Sequence, residues 1–246
     1  MKPPVSLARA LSKLGVCSRS QAVGLIVAGR VSVRGRVETS PARRIDLATE
    51  KVAVDGHELR EAEVERVVFA YHKPPGLIVS RVDPAGRPTI FDALELEVPV
   101  FPVGRLDKDS SGLLVLTNDH RLGQRLTDPL AHVEKRYHVR VKGVPSEEVL
   151  RALREGVEIG DPELTRPARV RALGSPKGGG AWLEIVLTEG RNRQIRRMTA
   201  ALGHDVQELI RVAIGGLELG DLPSGEWRRL DAAETRRLLG GPRDRR

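Results

Sequence analysis

Apolar residues spaced three and four positions apart near the start of the chain predict two short helices. Ser6 can cap the first helix and Ser18 the second, and Gly15 and Gly29 follow as their end signals. The apolar positions of the two helices are Leu7, Ala10, Leu11, Leu14, Ala22, Val23, Ile26 and Val27. Valine-rich runs at residues 31–33, 37 and 52–54 predict short strands, with a turn at Asp55-Gly56.

From residue 67 onward the pattern mixes the strand and helix periods. Alternate residues between 133 and 141 suit one buried face of a half-buried strand: Val133, Lys135, Tyr137, Val139 and Val141. Other strands are predicted at residues 67–72, 77–80, 112–117 and 181–187. Helices are predicted at residues 89–94, 120–126, 146–154 and 231–239, and from about residue 191. This mixture predicts an α+β protein.

Aromatic content and charge divide the chain into two regions. All seven aromatic residues lie after position 68, whereas residues 1–61 contain none and carry eleven Lys and Arg against six Asp and Glu. We therefore expect a small basic domain over residues 1–61, a polar linker at 62–66, a larger domain over 67–240 and a basic tail at 241–246.

The overall composition favours a polyanionic partner. The formal net charge is +8 and the sequence pI is about 10.1, a balance typical of proteins that bind nucleic acid. Cys17 is the only cysteine, which excludes intramolecular disulfides and cysteine-based zinc sites, and the histidines show no metal-ligand spacing. The sequence has no long uncharged apolar run and no signal-peptide pattern, so we expect a cytoplasmic protein with no membrane partner.

The segment GRLDKDSSGLLVLTND, residues 104–119, carries one candidate catalytic group. Asp107 follows Arg105 and precedes a short polar turn that leads into an apolar strand. Because Arg105 and Lys108 flank it, this carboxylate should be ionised at neutral pH, as a nucleophile or an electrostatic stabiliser requires. In isolation, a surface ion pair at a strand entrance is the simpler interpretation.

A second informative segment, EGRNRQIRRMTAALGH, spans residues 189–204. On a helix that begins near Arg191, the inward face holds Ile195, Met198, Thr199 and Leu202. An adjacent stripe holds Arg193, Arg196 and Arg197, where guanidinium groups can meet phosphates or an active-site carboxylate. A solvated basic helix is the alternative interpretation.

The run LSKLGVCSRSQAVGLIVAGRVSVRG, which begins at Leu11, resembles the small RNA-binding domain of a small-subunit ribosomal protein and of tyrosyl-tRNA synthetase. Ser20 replaces the second arginine of that domain's turn, and Arg34 stands where asparagine is usual. The resemblance implies binding to RNA through shape and phosphate charge, with Arg19, Arg30 and Arg34 as contacts.

Four segments taken in order resemble the RsuA/RluB-type ribosomal RNA pseudouridine synthases: HKPPGLIVS, GRLDKDSSGLLVLTND, EKRYHVRVKG and EGRNRQIRRM. The resemblance covers nearly the whole chain. It implies a mixed, mainly antiparallel catalytic sheet with flanking helices and a central cleft, behind the helix-helix-sheet RNA-binding domain. It also implies an enzyme that flips one uridine out of ribosomal RNA and isomerises it without a cofactor or metal.

The resemblance assigns residues one by one. Asp107 matches the nucleophile, whose attack on C6 of the base or C1′ of the ribose stays open. Tyr137 matches the ring that packs on the target base, and Arg196 matches the partner of the aspartate. Arg105 matches a residue that fills the gap left by the flipped nucleotide. We expect further RNA contacts from Arg193 and Arg197, whereas Lys73 and its Pro-Pro-Gly turn should be structural.

Several alternatives stay open at this point. The residue 191–197 segment favours 23S ribosomal RNA of the large subunit, with 16S small-subunit RNA as the alternative. A non-catalytic RNA-binding or ribosome-assembly protein would not need Asp107, Tyr137 and Arg196 together, and the N-terminal domain disfavours a transfer RNA substrate. A monomer is the expected oligomeric state.

Overall fold

A computed structural model describes residues 4–17, 19–59, 65–96, 98–174 and 179–240. The predicted cap at Ser18, part of the linker expected at 62–66 and the tail expected at 241–246 lie outside these residues. The chain forms two compact units. The first is built from residues up to Val67 with Leu96–Phe101 and Asn118–His120, and the second from the remaining residues.

The first unit combines two helices with short strands. Its elements are β1 (Val5–Ser6), α1 (Leu7–Lys13), α2 (Arg19–Val27), β2 (Val31–Val33), β3 (Arg36–Val37), β4 (Arg44–Ile45), β5 (Val52–Val54) and β6 (His57–Leu59). Strands β3, β2, β5 and β6 form an antiparallel sheet in that order. The Ser6 hydroxyl caps α1, and Leu7, Leu11 and Ile26 are fully buried as predicted. Val23 and Val27, predicted on the apolar face of α2, are instead 41% and 62% exposed.

Two-residue turns close both hairpins of this sheet. Asp55-Gly56 joins β5 to β6 as predicted, and Arg34-Gly35 joins β2 to β3. Asp55 and Arg34 have φ values of 51° and 52°, which lie in the left-handed region. Asparagine and aspartate adopt this conformation readily, so the asparagine usual at the Arg34 position has a local structural reason.

The second unit is built on a nine-stranded mixed sheet, whose continuous path runs β11-β12-β10-β13-β9-β7-β15. Its strands, with β8 and β14 beside that path, are β7 (Val68–Lys73), β8 (Phe101–Val103), β9 (Ser111–Thr117), β10 (Lys135–Val141), β11 (Arg169–Gly174), β12 (Ala181–Leu187), β13 (Val206–Ile214), β14 (Leu217–Glu218) and β15 (Trp227–Arg229). Along this path the pairing is antiparallel except between β13 and β9, which are parallel at Ile210–Ser111 and Arg211–Gly112. The predicted α+β class with a mixed, mainly antiparallel sheet is confirmed.

Four helices accompany this sheet: α3 (His120–Thr127), α4 (Glu147–Glu155), α5 (Gln194–Ala201) and α6 (Ala232–Leu238). Ser146 caps α4 and Asp231 caps α6. A core cluster joins Val139 and Val141 of β10 to Leu153 of α4 and to buried side chains of α5, so β10 has the buried face that its alternation predicts. No helix among the residues described has the length and apolar character needed to cross a membrane.

Two predicted elements differ from the structure. Residues 77–80 form no strand, and only Ile78 makes a parallel bridge, to Thr89. Ile78 donates to the Pro88 carbonyl, but Pro88 has no N–H to extend a ladder. The helix expected at 89–94 is a single 3₁₀ turn, Ile90–Asp92, capped by Thr89.

Candidate active site

Asp107 lies on the loop between β8 and β9, and its carboxylate is 29% exposed. The loop folds back on itself, because the Ser110 N–H donates to the Asp107 carbonyl at 3.1 Å. Leu113, Leu114, Val115 and Leu116 of β9 are fully buried, so the strand after the loop is fixed in the core.

Lys73, at the end of β7, holds the Asp107 loop from inside the protein. It is fully buried, and its Nζ donates to the carbonyls of Pro74 at 2.8 Å, Lys108 at 3.3 Å and Ser110 at 2.8 Å. Burial lowers the pKa of Lys73 to about 8, although the charges of Asp109 and Asp107 act in the opposite direction. These contacts give the lysine a structural part in the site.

Two arginines lie beside the Asp107 carboxylate. Arg193 Nη1 lies 3.7 Å from Asp107 Oδ2, and Arg196 Nε lies 3.9 Å from the same oxygen. Both distances exceed hydrogen-bond length, so the arginines neutralise the carboxylate without occupying its lone pairs. The pKa of Arg196 is lowered. Burial, with the charge of Arg193, outweighs the opposing effect of the charges of Asp107 and Asp109.

Arg196 also contacts the loop itself. Its Nη2 donates to the Asp109 carbonyl at 3.1 Å and to Ser110 Oγ at 3.3 Å, and its side chain is only 14% exposed. The resemblance assigned Arg196 as the partner of Asp107, and the structure places Arg193 beside the same carboxylate as well.

The backbone at the start of α5 explains why Arg193 and Arg196 approach Asp107 from different positions. The helix begins at Gln194 rather than near Arg191, and Arg193 before it has a left-handed φ of 47°. Gln194 is buried and bridges the preceding loop, because its Oε1 accepts from the Arg191 N–H and its Nε2 donates to Glu189. The inward face predicted for α5 is present, since Ile195, Met198 and Thr199 are buried.

Arg197 points to a different partner. Its Nη2 lies 2.6 Å from Asp161 Oδ1 and also contacts the Ile159 carbonyl, and this ion pair lowers the pKa of Asp161. Arg191 holds the same loop through the carbonyls of Glu163 and Leu164. Arg197 is not among the residues that line the cavity described next, so its predicted contact with RNA stays a prediction.

A cavity of about 330 Å³ opens beside Asp107, within the size range of pockets that enclose small ligands. Its lining includes Arg105, Asp107, Tyr137 and Arg193, which the sequence singled out. It also includes Lys135 and Arg211, which had no predicted function. The cavity walls thus combine one aromatic ring, several cations and three carboxylates, those of Asp107, Asp128 and Glu189.

Arg211 is a site residue for which the sequence predicted no function. It lies on β13, directly opposite Tyr137 of β10, and is 4% exposed. Its Nε donates to the Leu113 carbonyl at 2.7 Å and its Nη1 to the Arg105 carbonyl at 3.4 Å. The sequence feature that could have identified it is an arginine at an apolar position of residues 206–214, between Leu209 and Ala213.

The three N-terminal arginines are exposed on the first unit. Arg30 makes a two-pronged ion pair with Asp55, at 2.9 and 2.5 Å. Arg34 Nε lies 3.4 Å from Glu50, and Arg19 opens α2. Across the described ranges, no three His, Cys, Asp or Glu side chains group closely enough to hold a metal ion.

The architecture and sequence of the second unit match a known group of enzymes. The model of the RNA pseudouridylate synthase family matches residues 67–201, more than half of the chain. The chain belongs to this family. The synthase also matches the model of the S4 domain over residues 5–50, which confirms the N-terminal resemblance.

Individual relatives are similar over most of their length. The synthase is 40% identical to "Ribosomal large subunit pseudouridine synthase B" of Salmonella typhimurium, with 95% of this chain and 82% of the relative covered. It is 36% identical to the Bacillus subtilis protein of the same name, with 94% of each covered. A crystal structure of a pseudouridylate synthase superimposes with a TM-score of 0.69 at 30% identity, covering 95% of this chain and 99% of that one.

Proposed function

We propose that this synthase converts one uridine of large-subunit ribosomal RNA into pseudouridine, with Asp107 as the nucleophile. The observation that carries the proposal is the Asp107 carboxylate at the wall of an open cavity, with Arg193 and Arg196 beside it and the ring of Tyr137 in the same lining. The names of the relatives support the large-subunit substrate.

The chemistry follows from what these side chains can do. The target nucleotide leaves the RNA stack, and the Tyr137 ring packs on its base, which offsets part of the unstacking cost. Asp107 attacks, at C6 of the base or C1′ of the ribose, and the N1–C1′ bond breaks. The uracil turns and C5 bonds to C1′. The bond between Asp107 and the nucleoside breaks and returns its electron pair to the carboxylate, the C5 proton leaves and N1 takes up a proton. The product is an isomer of the substrate, so the reaction consumes no oxidant, reductant or cofactor.

The basic side chains supply the contacts to RNA. Arg105, exposed at the cavity, fills the gap left by the flipped nucleotide, and Arg193 faces the adjacent phosphates. Arg19, Arg30 and Arg34 bind phosphates further along the RNA. Arg197 contributes by holding the loop of Asp161. The enzyme acts as a cytoplasmic monomer.

Two other functions make different predictions. A synthase for 16S RNA would modify the small-subunit RNA, and a ribosome-assembly protein would bind RNA and modify nothing. The combination of Asp107 with Tyr137 and two arginines favours catalysis, because binding alone does not require a carboxylate among phosphate-binding cations.

The test is a pseudouridine map of both ribosomal RNAs from cells with the gene, without it, and with Asp107→Asn in its place. One 23S pseudouridine should disappear in the deletion and in Asp107→Asn, while the variant still binds RNA within a few-fold. Asp109→Asn, two residues away on the same exposed turn, is the matched control and should keep the modification. An unchanged map in the deletion would refute the function, and a modified site in Asp107→Asn would refute the nucleophile.

A further inference from the structure

The guanidinium of Arg211 has a donor that the protein leaves unused. Its Nε and Nη1 bond to carbonyls of Leu113 and Arg105, but its Nη2 is buried and has no hydrogen-bond partner among the residues described. A buried, unsatisfied donor of a charged group costs free energy, which an acceptor bound beside it would recover. Arg211 lines the cavity beside Asp107, so an acceptor placed there could satisfy this donor.

A second cation lies in the same cavity. Lys135 lines it from β10, and its Nζ donates to the Val133 carbonyl at 3.1 Å. Burial and the positive charge of Arg211 lower the pKa of Lys135. A half-buried cation and a buried one that repel each other favour an oxygen-rich or anionic group between them.

We propose that Arg211, assisted by Lys135, binds a carbonyl oxygen of the extruded uracil and stabilises the charge that develops on the ring. This inference rests on the proposed function, because it concerns the substrate of the same cavity. Tyr137 lies directly opposite Arg211 across the β10–β13 pair, so a base packed on the Tyr137 ring would lie close to the guanidinium.

The reaction supplies a reason for such a donor. When the N1–C1′ bond breaks, its electron pair stays with the uracil and spreads over N1, O2 and O4. The charge disappears when C5 has bonded to C1′ and N1 has taken up a proton. A fixed guanidinium at one carbonyl oxygen therefore stabilises the detached base more than the bound nucleoside, which accelerates the reaction.

The burial of Arg211 indicates that it binds the base rather than a phosphate. Arg105 is exposed and Arg193 is 48% exposed, whereas Arg211 is 4% exposed. Backbone phosphates carry full charges that remain hydrated, so they suit the exposed arginines. Only the extruded base can reach the buried one.

Thio-substituted RNA tests this contact. Single-turnover rates are measured on an RNA fragment that carries uridine, 2-thiouridine or 4-thiouridine at the mapped position, since sulfur is a poorer acceptor than oxygen. In the wild type, one of the two thio substitutions should slow the reaction about 10-fold or more. Arg211→Met should slow the reaction on uridine by about 10- to 100-fold and should abolish the additional effect of that same thio substitution.

Two further variants separate contact from positioning. Lys135→Met does not disturb the bonds to Leu113 and Arg105, so it should fold normally and reduce the same thio effect. Arg140→Met, paired with Glu208, is the matched control and should retain both the rate and the thio effect.

Each remaining outcome overturns the inference. Thio effects that persist undiminished in Arg211→Met and Lys135→Met would show that Arg211 only positions the Asp107 loop. An effect of Arg211→Met that disappears when a flanking phosphate is replaced by a methylphosphonate, and not when the base carries sulfur, would assign the cations to the RNA backbone. A wild type that fails to convert uridine itself would refute the proposed function, and this inference with it.

Discussion

Gly112 and Arg211 pack backbone against backbone where β9 and β13 run parallel. A Cβ atom on Gly112 would lie 2.6 Å from the Arg211 nitrogen and closer still to its carbonyl oxygen. Gly112 also has a φ of +107°, which side chains rarely adopt. This contact sets the distance between the strand that follows Asp107 and the strand that carries Arg211.

Gly112→Ala should therefore separate the two strands. We expect a loss of about 2–4 kcal/mol in the free energy of unfolding, because steric overlap adds to backbone strain, together with a loss of activity. Urea denaturation measures the stability. Gly86→Ala is the control, since Gly86 has a φ of +67° with no atom within 4 Å of its Cβ, and it should lose only the strain part. Equal losses in the two variants would contradict the steric argument.

Arg196 should matter more to catalysis than Arg193. The side chain of Arg196 is 14% exposed and holds the Asp107 loop, whereas Arg193 is 48% exposed and screened by water. We expect Arg196→Met to reduce the single-turnover rate by about 100-fold and Arg193→Met by about 10-fold. Arg196→Lys should recover part of the loss. The reverse order of the two methionine variants would contradict the assignment of Arg196 as the main partner.

The buried Lys73 predicts a pH dependence of stability. Its pKa of about 8 lies below the ordinary value of 10.5, so the folded state disfavours the charged lysine. Between pH 8 and 10.5 the unfolded chain binds more protons at this group, and stability therefore increases with pH in that window. Relative to Lys73→Met, the wild type should gain about 1–2 kcal/mol in free energy of unfolding from pH 7 to pH 9.5. A constant difference across this range would show that the pKa is not lowered.

The N-terminal arginines predict a salt dependence of RNA binding. Each phosphate contact contributes about 0.7 to 0.9 to the slope of log K against log salt concentration. Arg19→Gln combined with Arg34→Gln should reduce that slope by nearly the contribution of two phosphate contacts. The double variant should bind RNA more weakly without changing the modified position. Arg171→Gln, on the sheet of the second unit and paired with Glu184, is the charge-matched control. A slope unchanged from the wild type would remove these residues from the RNA interface.

Much of this architecture could be predicted because local signals coincide with the tertiary structure. Ser6 caps the helix that it was expected to cap, Ser146 and Asp231 cap helices that were predicted to begin at these residues, and the alternation along β10 identifies its buried face. The proximity of Asp107 and Arg196 came instead from the order of four segments that resemble a known family.

The signals failed where tertiary contacts override local pattern. The strand predicted at 77–80 is reduced to one bridge because Pro88 in the neighbouring segment has no N–H to extend the ladder. Strand β13 was not predicted because Arg211 interrupts its apolar face, and only the fold shows that the cation lies against Leu113. Arg197 shares a helical stripe with Arg196, but its ion pair with Asp161 depends on a loop distant in sequence.

The parallel pairing of β9 with β13 also determines how late the reaction site can form while the chain is synthesised. The bond from Arg196 to Asp109 joins residues 87 positions apart, and that from Arg211 to Leu113 joins residues 98 apart. The S4 match ends at residue 50, and domains fold as units from the N-terminus as the chain grows. The reaction site cannot exist until β13 has been made. A growing chain therefore has a folded RNA-binding domain well before it has an assembled reaction site.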